Sequence, residues 1–349
     1  MTTLESLPLS VLDLAPVPTG SSVGAALRST IALAQRAEQL GYKRFWVAEH
    51  HNMPGIASSS PAVLIGHIAA ATSTLRVGSG GVMLPNHSSL VVAEQFGMLD
   101  ALHPGRIDLG IGRAPGSDQL TALALRRSVE ALSADDFPSQ LTNLMSYFSA
   151  EWPAGHPFAA ITAVPGAGAH PAVWLLGSSD YSAQVAAMLG LPFAFAHHFS
   201  PANTLPAVAL YRRLFEPSAT LESPYTMIGV SVTCAETDAE AQRLAAPAAL
   251  SFLRLRTGRP STLPSPEEAA GYPYTPEERA FVDGRRASQI IGSPETVRTG
   301  LTDLLEATAA DEFMVTTTTF DPTDRLRSFE LVADIANLSS REMAAGPAA

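Results

Sequence analysis

The sequence is poor in cysteine, in lysine and in uninterrupted apolar stretches, and each shortage removes a class of protein. Its single cysteine, Cys234, excludes an intramolecular disulfide and any metal site built on paired thiolates, and it predicts a reducing cytoplasmic setting. Lys43 is the only lysine, and 22 basic against 33 acidic residues leave a formal charge of -11. That deficit of positive charge argues against nucleic acid and against an anionic membrane surface, both of which select basic faces. No apolar run reaches membrane-spanning length, and residues 1–8 lack the basic-then-apolar order of an export signal. Zinc-type ligand spacing, a G-x-S-x-G elbow and a Walker loop are also missing. What is present, 349 residues of which 46% are hydrophobic, suffices for a large core in one barrel-sized domain.

Strand-like and helix-like segments alternate along the chain. Leu9–Asp13 reads as a first strand that Pro16 and Pro18 end, since neither can donate to a ladder. A helix follows the cap candidates Ser21 and Ser22, with Leu27, Ile31, Ala34 and Leu40 on one face and Gly41 as its stop. The run from Phe45 is the second strand, and residues 75–82, 106–110, 173–176, 192–197, 226–233 and 312–316 supply six more. Helical spacing fills the intervals, including 119–132, 135–149, 181–189, 201–215, 238–255 and a last helix over 324–338. Eight strands separated by helices predict a single α/β domain over 1–349, a parallel sheet closed into a (β/α)8 TIM barrel. One interval breaks the rhythm. Residues 257–286 contain prolines at 260, 264, 266, 273 and 276 and read as a structureless insertion before the eighth strand, either a mobile lid over the barrel mouth or a disordered segment. Residues 343–349 read as a flexible tail.

Chemistry in such a barrel collects at the carboxyl ends of the strands. The second strand ends in Glu49-His50-His51-Asn52, an acid and two imidazoles. Alternate strand residues point to opposite faces, so His50 and His51 are unlikely partners for one metal, and no metal is expected. Parity groups His50 with Trp46 and Ala48, but pattern alone does not choose between the two histidines as an acid/base group. Gly78, Gly80 and Gly81 in the third strand mark either a packing bulge or a bare surface against which a flat ring could lie. Gly110-Ile111-Gly112-Arg113 lacks the G-x-G-x-x-G spacing and βαβ context of a dinucleotide loop, but it presents Arg113 in a flexible loop as a phosphate ligand. Gly177-Ser178-Ser179-Asp180-Tyr181 after the fifth strand is either an ordinary N-cap or the other half of an anion cradle. His197 and His198 end the sixth strand and could line the same mouth.

Five runs, Leu12-Asp13-Leu14-Ala15-Pro16, Ala48-Glu49-His50-His51-Asn52, Gly80-Gly81-Val82-Met83-Leu84-Pro85, Pro104-Gly105-Arg106-Ile107-Asp108-Leu109-Gly110 and Gly112-Arg113-Ala114-Pro115-Gly116, resemble the bacterial luciferase-like flavin-dependent monooxygenases. Nearly the whole chain is similar in order, most of all to the non-luminescent alkanal-monooxygenase-like group. The resemblance implies a barrel that binds reduced FMN, delivered by a separate flavin reductase, and reacts it with O2 to a C4a-peroxyflavin that oxygenates a small organic substrate, such as a natural-product intermediate. It implies that His50 is the active-site histidine, that Gly80-Gly81 is a non-proline cis peptide, and that Arg113 and Ser178 bind phosphate with Tyr181 one turn on. Asp13, Glu49, His51, His197 and His198 become candidates for substrate or ring contacts. A homodimer packed through helices of the first half is implied as well. Gly112 and Gly177 stand where luciferase has a cysteine and an acid, so neither light emission nor long-chain aldehyde specificity is expected. Hydride transfer with F420 on the same fold, or flavin binding with little turnover, are the alternatives.

Overall fold

The closed parallel barrel expected from the alternation is present. The computed structural model describes residues 3–114, 116–126 and 136–338. Its strands are β1 (Leu9–Asp13), β2 (Arg44–Val47), β3 (Arg76–Met83), β4 (Ile107–Gly112), β5 (Ala172–Gly177), β6 (Phe193–Phe195), β7 (Thr226–Cys234), β8 (Ile290–Gly292) and β9 (Glu312–Thr316). β1 to β6 pair in sequence, β6 closes on β7 through Phe193 and Thr226, and β9 fills the gap between β7 and β1. The helices are α1 (Val23–Gln39), α2 (Pro61–Ala71), α3 (Ser89–Leu102), α4 (Gln119–Arg126), α5 (Phe137–Ser149), α6 (Asp180–Met188), α7 (Thr204–Leu214), α8 (Asp238–Arg256), α9 (Pro266–Gly271), α10 (Pro276–Ala287), α11 (Pro294–Thr308) and α12 (Pro322–Ile335). Ser22 caps α1 as its position suggested, accepting from the Ala25 N–H at 3.1 Å. Among the described residues no helix is long and apolar enough to cross a membrane.

Strand alternation divides the core in two. Leu9, Val11, Phe45, Val47 and their counterparts face outward and join the helices in the main apolar cluster. The inward positions stack in layers, as small barrels require. At the amino-terminal end of the strands lies an ionic layer of Ser10, Arg44, Asp108 and Glu312. Above it Trp46 and Trp174 meet edge to face at 5.4 Å, with Leu12, Met227 and Met314 around them. Above the tryptophans the barrel opens into a cavity.

Three features depart from the sequence reading. The 257–286 segment is largely helical rather than structureless, because two of its prolines start helices instead of breaking them. Ser265-Pro266 and Thr275-Pro276 are N-cap and N1 pairs, each followed by glutamates, and Thr275 with Glu278 forms a capping box. α9 and α10 pack on α8 through Leu250, Leu253, Ala269 and Val282. The segment is also tied to the β1–α1 loop, where the Leu263 N–H donates to the Val17 carbonyl at 2.9 Å and the Thr19 N–H donates back to Leu263 at 2.8 Å. Second, β8 is an unanticipated ninth strand. β7 is nine residues long, and Val232 to Cys234 project past the barrel pairing and take Ile290 to Gly292 as a partner. Third, α11 was not anticipated, although Ser293-Pro294 is an N-cap and N1 pair like Ser265-Pro266. The helix predicted to run to 132 is described only to Arg126, and 127–132, Pro115 and the tail at 343–349 lie outside the described residues.

Candidate active site

Alternation at the end of β2 sorts the acid and the two histidines. Trp46 and Ala48 belong to the inner core and His50 continues that face into the cavity, whereas Glu49 and His51 point the other way. The His50 Nδ1 is buried without a hydrogen-bond partner, and burial pulls the imidazole down to about 4, so it is neutral near pH 7. Glu49 is fully buried and accepts from His51 Nε2 at 3.0 Å, from His87 Nε2 at 2.9 Å and from the Met83 N–H at 3.1 Å. Burial raises its pKa, but the bonds from His87, His51 and Met83 outweigh that and hold the carboxyl below its usual range. Glu49 therefore fastens the end of β3 to the end of β2. It does not line the cavity, and neither does His51, so the structure does not bring either of them to the cavity as the substrate or ring contact expected from the sequence. His87 completes this cluster; the sequence offered no pattern that singled it out.

Asp13 is a second correction. It sits on the outward face of β1, buried, where Arg325 Nη1 pairs with it at 2.8 Å and Thr30 donates from α1. Its inward neighbours Leu12 and Leu14 reach the cavity instead. The two histidines after β6 also divide. The His197 Nδ1 lies 2.8 Å from the Thr204 hydroxyl, outside the cavity lining, while His198 enters it. His198 Nδ1–H donates to the Gly229 carbonyl at 2.9 Å, which leaves Nε2 as the acceptor. Burial lowers His198 to about 4, so the mouth holds two neutral imidazoles.

β3 ends in the expected glycine irregularity. Its register against β4 shifts between Gly80 and Val82, and the Gly80–Gly81 peptide is cis. A Cβ on Gly80 would lie 2.7 Å from Leu12 Cδ1 and 3.3 Å from the Trp46 ring, so this inward position takes no side chain and leaves bare backbone on the cavity wall. Gly81 faces β4, where a Cβ would meet the Gly110 carbonyl at 2.8 Å.

Arg113 after β4 and Ser178 after β5 lie on one side of the mouth. The Arg113 guanidinium stacks over the Tyr181 ring at 4.1 Å, and no carboxylate among the described residues pairs with it. The Tyr181 hydroxyl is buried without a partner. α6 begins there, and its N-cap is Ser179, whose side chain makes no capping bond. Neither Ser178 nor Asp180 caps the helix, so a cation, a hydroxyl and the N–H groups of a helix start are grouped as an anion cradle needs. Gly177 has a local reason to lack a side chain, since a Cβ would fall 2.3 Å from the Ser182 side chain.

The cavity between these walls measures about 380 Å³, within the range of small-ligand sites. Sequence reasoning missed its far wall. Ser231 and Thr233 of β7, and Thr316 and Thr318 at the end of β9, supply hydroxyls; their i, i+2 spacing was the available signal. α8 contributes Phe252, and Arg285 in the last turn of α10 lies over its ring at 3.5 Å and reaches the cavity. Burial lowers the Arg285 pKa to about 10, leaving it charged near pH 7. No group of three or more His, Cys, Asp or Glu that could hold a metal occurs among the described residues.

A closed parallel barrel with a mostly apolar cavity at the carboxyl ends of its strands defines a TIM barrel with a small-molecule-sized site. The chain belongs to the luciferase-like monooxygenase family, whose sequence model matches residues 7–312. It is 53% identical to the YvbT protein of Bacillus subtilis over 94% of this chain and 96% of that one. Identity to a luciferase-like monooxygenase of Escherichia coli K12 is 49%, covering 95% of this chain and 97% of the relative. An N-acetyl-S-alkylcysteine monooxygenase of Bacillus subtilis is 35% identical over 95% of this chain and 99% of its own length. The solved structure of apo-MsnO8 superposes with a TM-score of 0.86 at 42% identity, covering 95% of this chain and 99% of that one. The family resemblance and the barrel fold read from the sequence are thus borne out.

Proposed function

We propose that the protein oxygenates a small organic substrate with O2, using reduced FMN that a separate flavin reductase delivers. The observation that carries this reading is the cradle, in which Arg113, stacked on Tyr181 and without an ion pair among the described residues, stands beside Ser178 and the start of α6. These residues fit a phosphate, and the Tyr181 hydroxyl, orphaned and buried, awaits a polar partner. The Gly80 backbone fits a flat ring system laid over the Trp46 layer. When bound, reduced flavin supplies the electrons that activate O2. The chain's own residues do the rest: Arg113 and Ser178 anchor, Gly80 admits the ring, and His50, a neutral imidazole with an unpartnered Nδ1, holds or moves a proton in the mouth. The 257–286 segment, which lines the cavity through Pro260, Ser261, Leu263 and Arg285, serves as the cover that excludes water. The Bacillus relative named for N-acetyl-S-alkylcysteine makes S-alkyl compounds the first class to screen.

Arg113→Ala is expected to weaken FMN binding between about ten- and a hundred-fold, the loss of one charge-assisted phosphate contact. Flavin fluorescence titration measures it. Unchanged affinity would remove Arg113 from the cradle, and wild-type protein that binds F420 in preference to FMN would replace the cofactor.

The protein pairs with a second copy through α2 and α3, where Val63, Met98 and Leu102 are 62%, 54% and 68% exposed. Several large apolar side chains on neighbouring helices are what a self-complementary interface covers. Sedimentation equilibrium should give a dimer for the wild type and a monomer for the Met98→Glu, Leu102→Glu double variant; a monomeric wild type removes the pairing.

A further inference from the structure

The lid brings a cation to the cavity and no acid to meet it. Arg285 leaves the last turn of α10, its guanidinium carbon lies over the Phe252 ring 3.5 Å from the centroid, and it forms part of the cavity wall. Among the other arginines around the lid, Arg254 is met by Glu268 at 2.7 Å, Arg243 by Glu240 at 2.8 Å and Arg286 by the Gln242 carbonyl at 2.8 Å, while Arg279 lies over the Tyr274 ring at 4.1 Å without an ion pair among the described residues but is exposed to solvent, as Arg285 is not. Arg285 has no carboxylate within ion-pair distance among the described residues. The other titratable groups that reach the cavity are His50, His198 and Arg113, none of them anionic.

A half-buried cation without a counter-charge is unfavourable unless something anionic arrives to pair with it. Stacking on Phe252 leaves the in-plane N–H fork of the guanidinium free, which is the geometry that takes a carboxylate through two parallel bonds. Met53, Ile56, Leu255 and Leu263 add apolar wall to the same cavity, with Ser251, Ser261 and Gln289 as polar residues from the neighbouring segments. The cradle at Arg113 and Ser178 belongs to the ends of β4 and β5, whereas Arg285 comes from α10, whose neighbours are α8 and β8.

Building on the flavin reading, we propose that the organic substrate enters as an anion with a carboxylate and an apolar body, and that Arg285 binds the carboxylate. The substrate's acid then completes the charge pairing of α10 and draws the lid onto the mouth. Arg285 is thereby the residue that separates acids from their neutral analogues.

The test is a calorimetric titration of the FMN-loaded protein with octanoate and, in parallel, with uncharged octanamide. Wild type should favour octanoate at least about ten-fold, the loss of one charge-assisted bidentate contact in the amide. Arg285→Ala should abolish that preference while leaving FMN affinity unchanged, and Arg285→Lys should restore part of it. No preference in the wild type, whether because both probes bind equally or because neither binds, overturns the proposal, as does a preference that survives Arg285→Ala. Failure of the flavin reading is separable, since it shows as absent FMN binding in the same preparation before any octanoate is added.

Discussion

Replacing Asp108 by asparagine should lower the unfolding free energy by about 3–5 kcal/mol, the loss expected when one partner is removed from a buried charge network. Asp108 is fully buried in the lowest layer of the barrel. It accepts from Arg44 Nη1, Trp46 Nε1 and Arg76 Nε, each at 2.9 Å. Glu312, equally buried, holds Arg44 Nε at 2.9 Å and receives Lys43, Tyr225 and Ser10. Two carboxylates thus balance Arg44 and Arg76 inside the barrel, with Lys43 at its rim. Asparagine keeps the shape but leaves one acceptor oxygen where three donors converge on two, so Arg44 and Arg76 lose an acid and an amide NH2 is set against either Arg76 or the Arg44–Trp46 pair. The effect should travel upward, because Trp46 packs against the Gly80 backbone that walls the cavity. Urea-induced unfolding followed by circular dichroism measures the change. A loss below about 1 kcal/mol would mean that these charges behave like a solvent-screened surface pair.

That network was not legible in the sequence, and the reason is physical. Arg44, Asp108 and Glu312 belong to strands far apart in the chain, and single charges in apolar runs read locally as strand ends. Only barrel closure stacks them. The strands themselves were legible, because short apolar runs bounded by proline, glycine or capping residues carry their boundaries within a few positions. The lid was misread for the opposite reason. Its prolines at 266 and 276 were counted as breakers, when the serine or threonine before each and the glutamates after it mark them as helix starts. At the site, Gly80, Arg113 and Ser178 were legible as motif residues with strand-end positions. Arg285 was not, since its importance lies in what it lacks, an acidic partner, and that is visible only in three dimensions. Asp13 and Glu49 show the converse: both end strands next to cavity-lining residues, yet each is consumed by an outward-facing cluster.

His50→Ala should reduce kcat for the proposed oxygenation by about 10²–10⁴-fold, the range for removal of a positioned proton-transfer group, while FMN affinity stays near that of the wild type. The pH dependence separates a buried imidazole from a solvated one. An unperturbed histidine changes charge near 6.5, whereas burial lowers His50 to about 4. Its neutral form therefore persists through the range from about 5 upward, and wild-type kcat should show no step near 6.5. The same shift has a stability consequence with a definite sign. Between about 6.5 and 4 the unfolded chain binds a proton at this position that the folded chain refuses, so stability falls as pH falls through that window. His198, lowered to about 4 by the same cause, adds to the slope. His50→Gln removes the His50 titration and should flatten the acid limb of the stability profile in part, since His198, His197 and His103 are lowered by burial as well, while still lacking the proton-transfer group. A kcat step near 6.5 that vanishes in His50→Gln would show that the imidazole is solvated and charged in the working enzyme. Loss of kcat together with loss of FMN binding would instead place His50 in holding the ring.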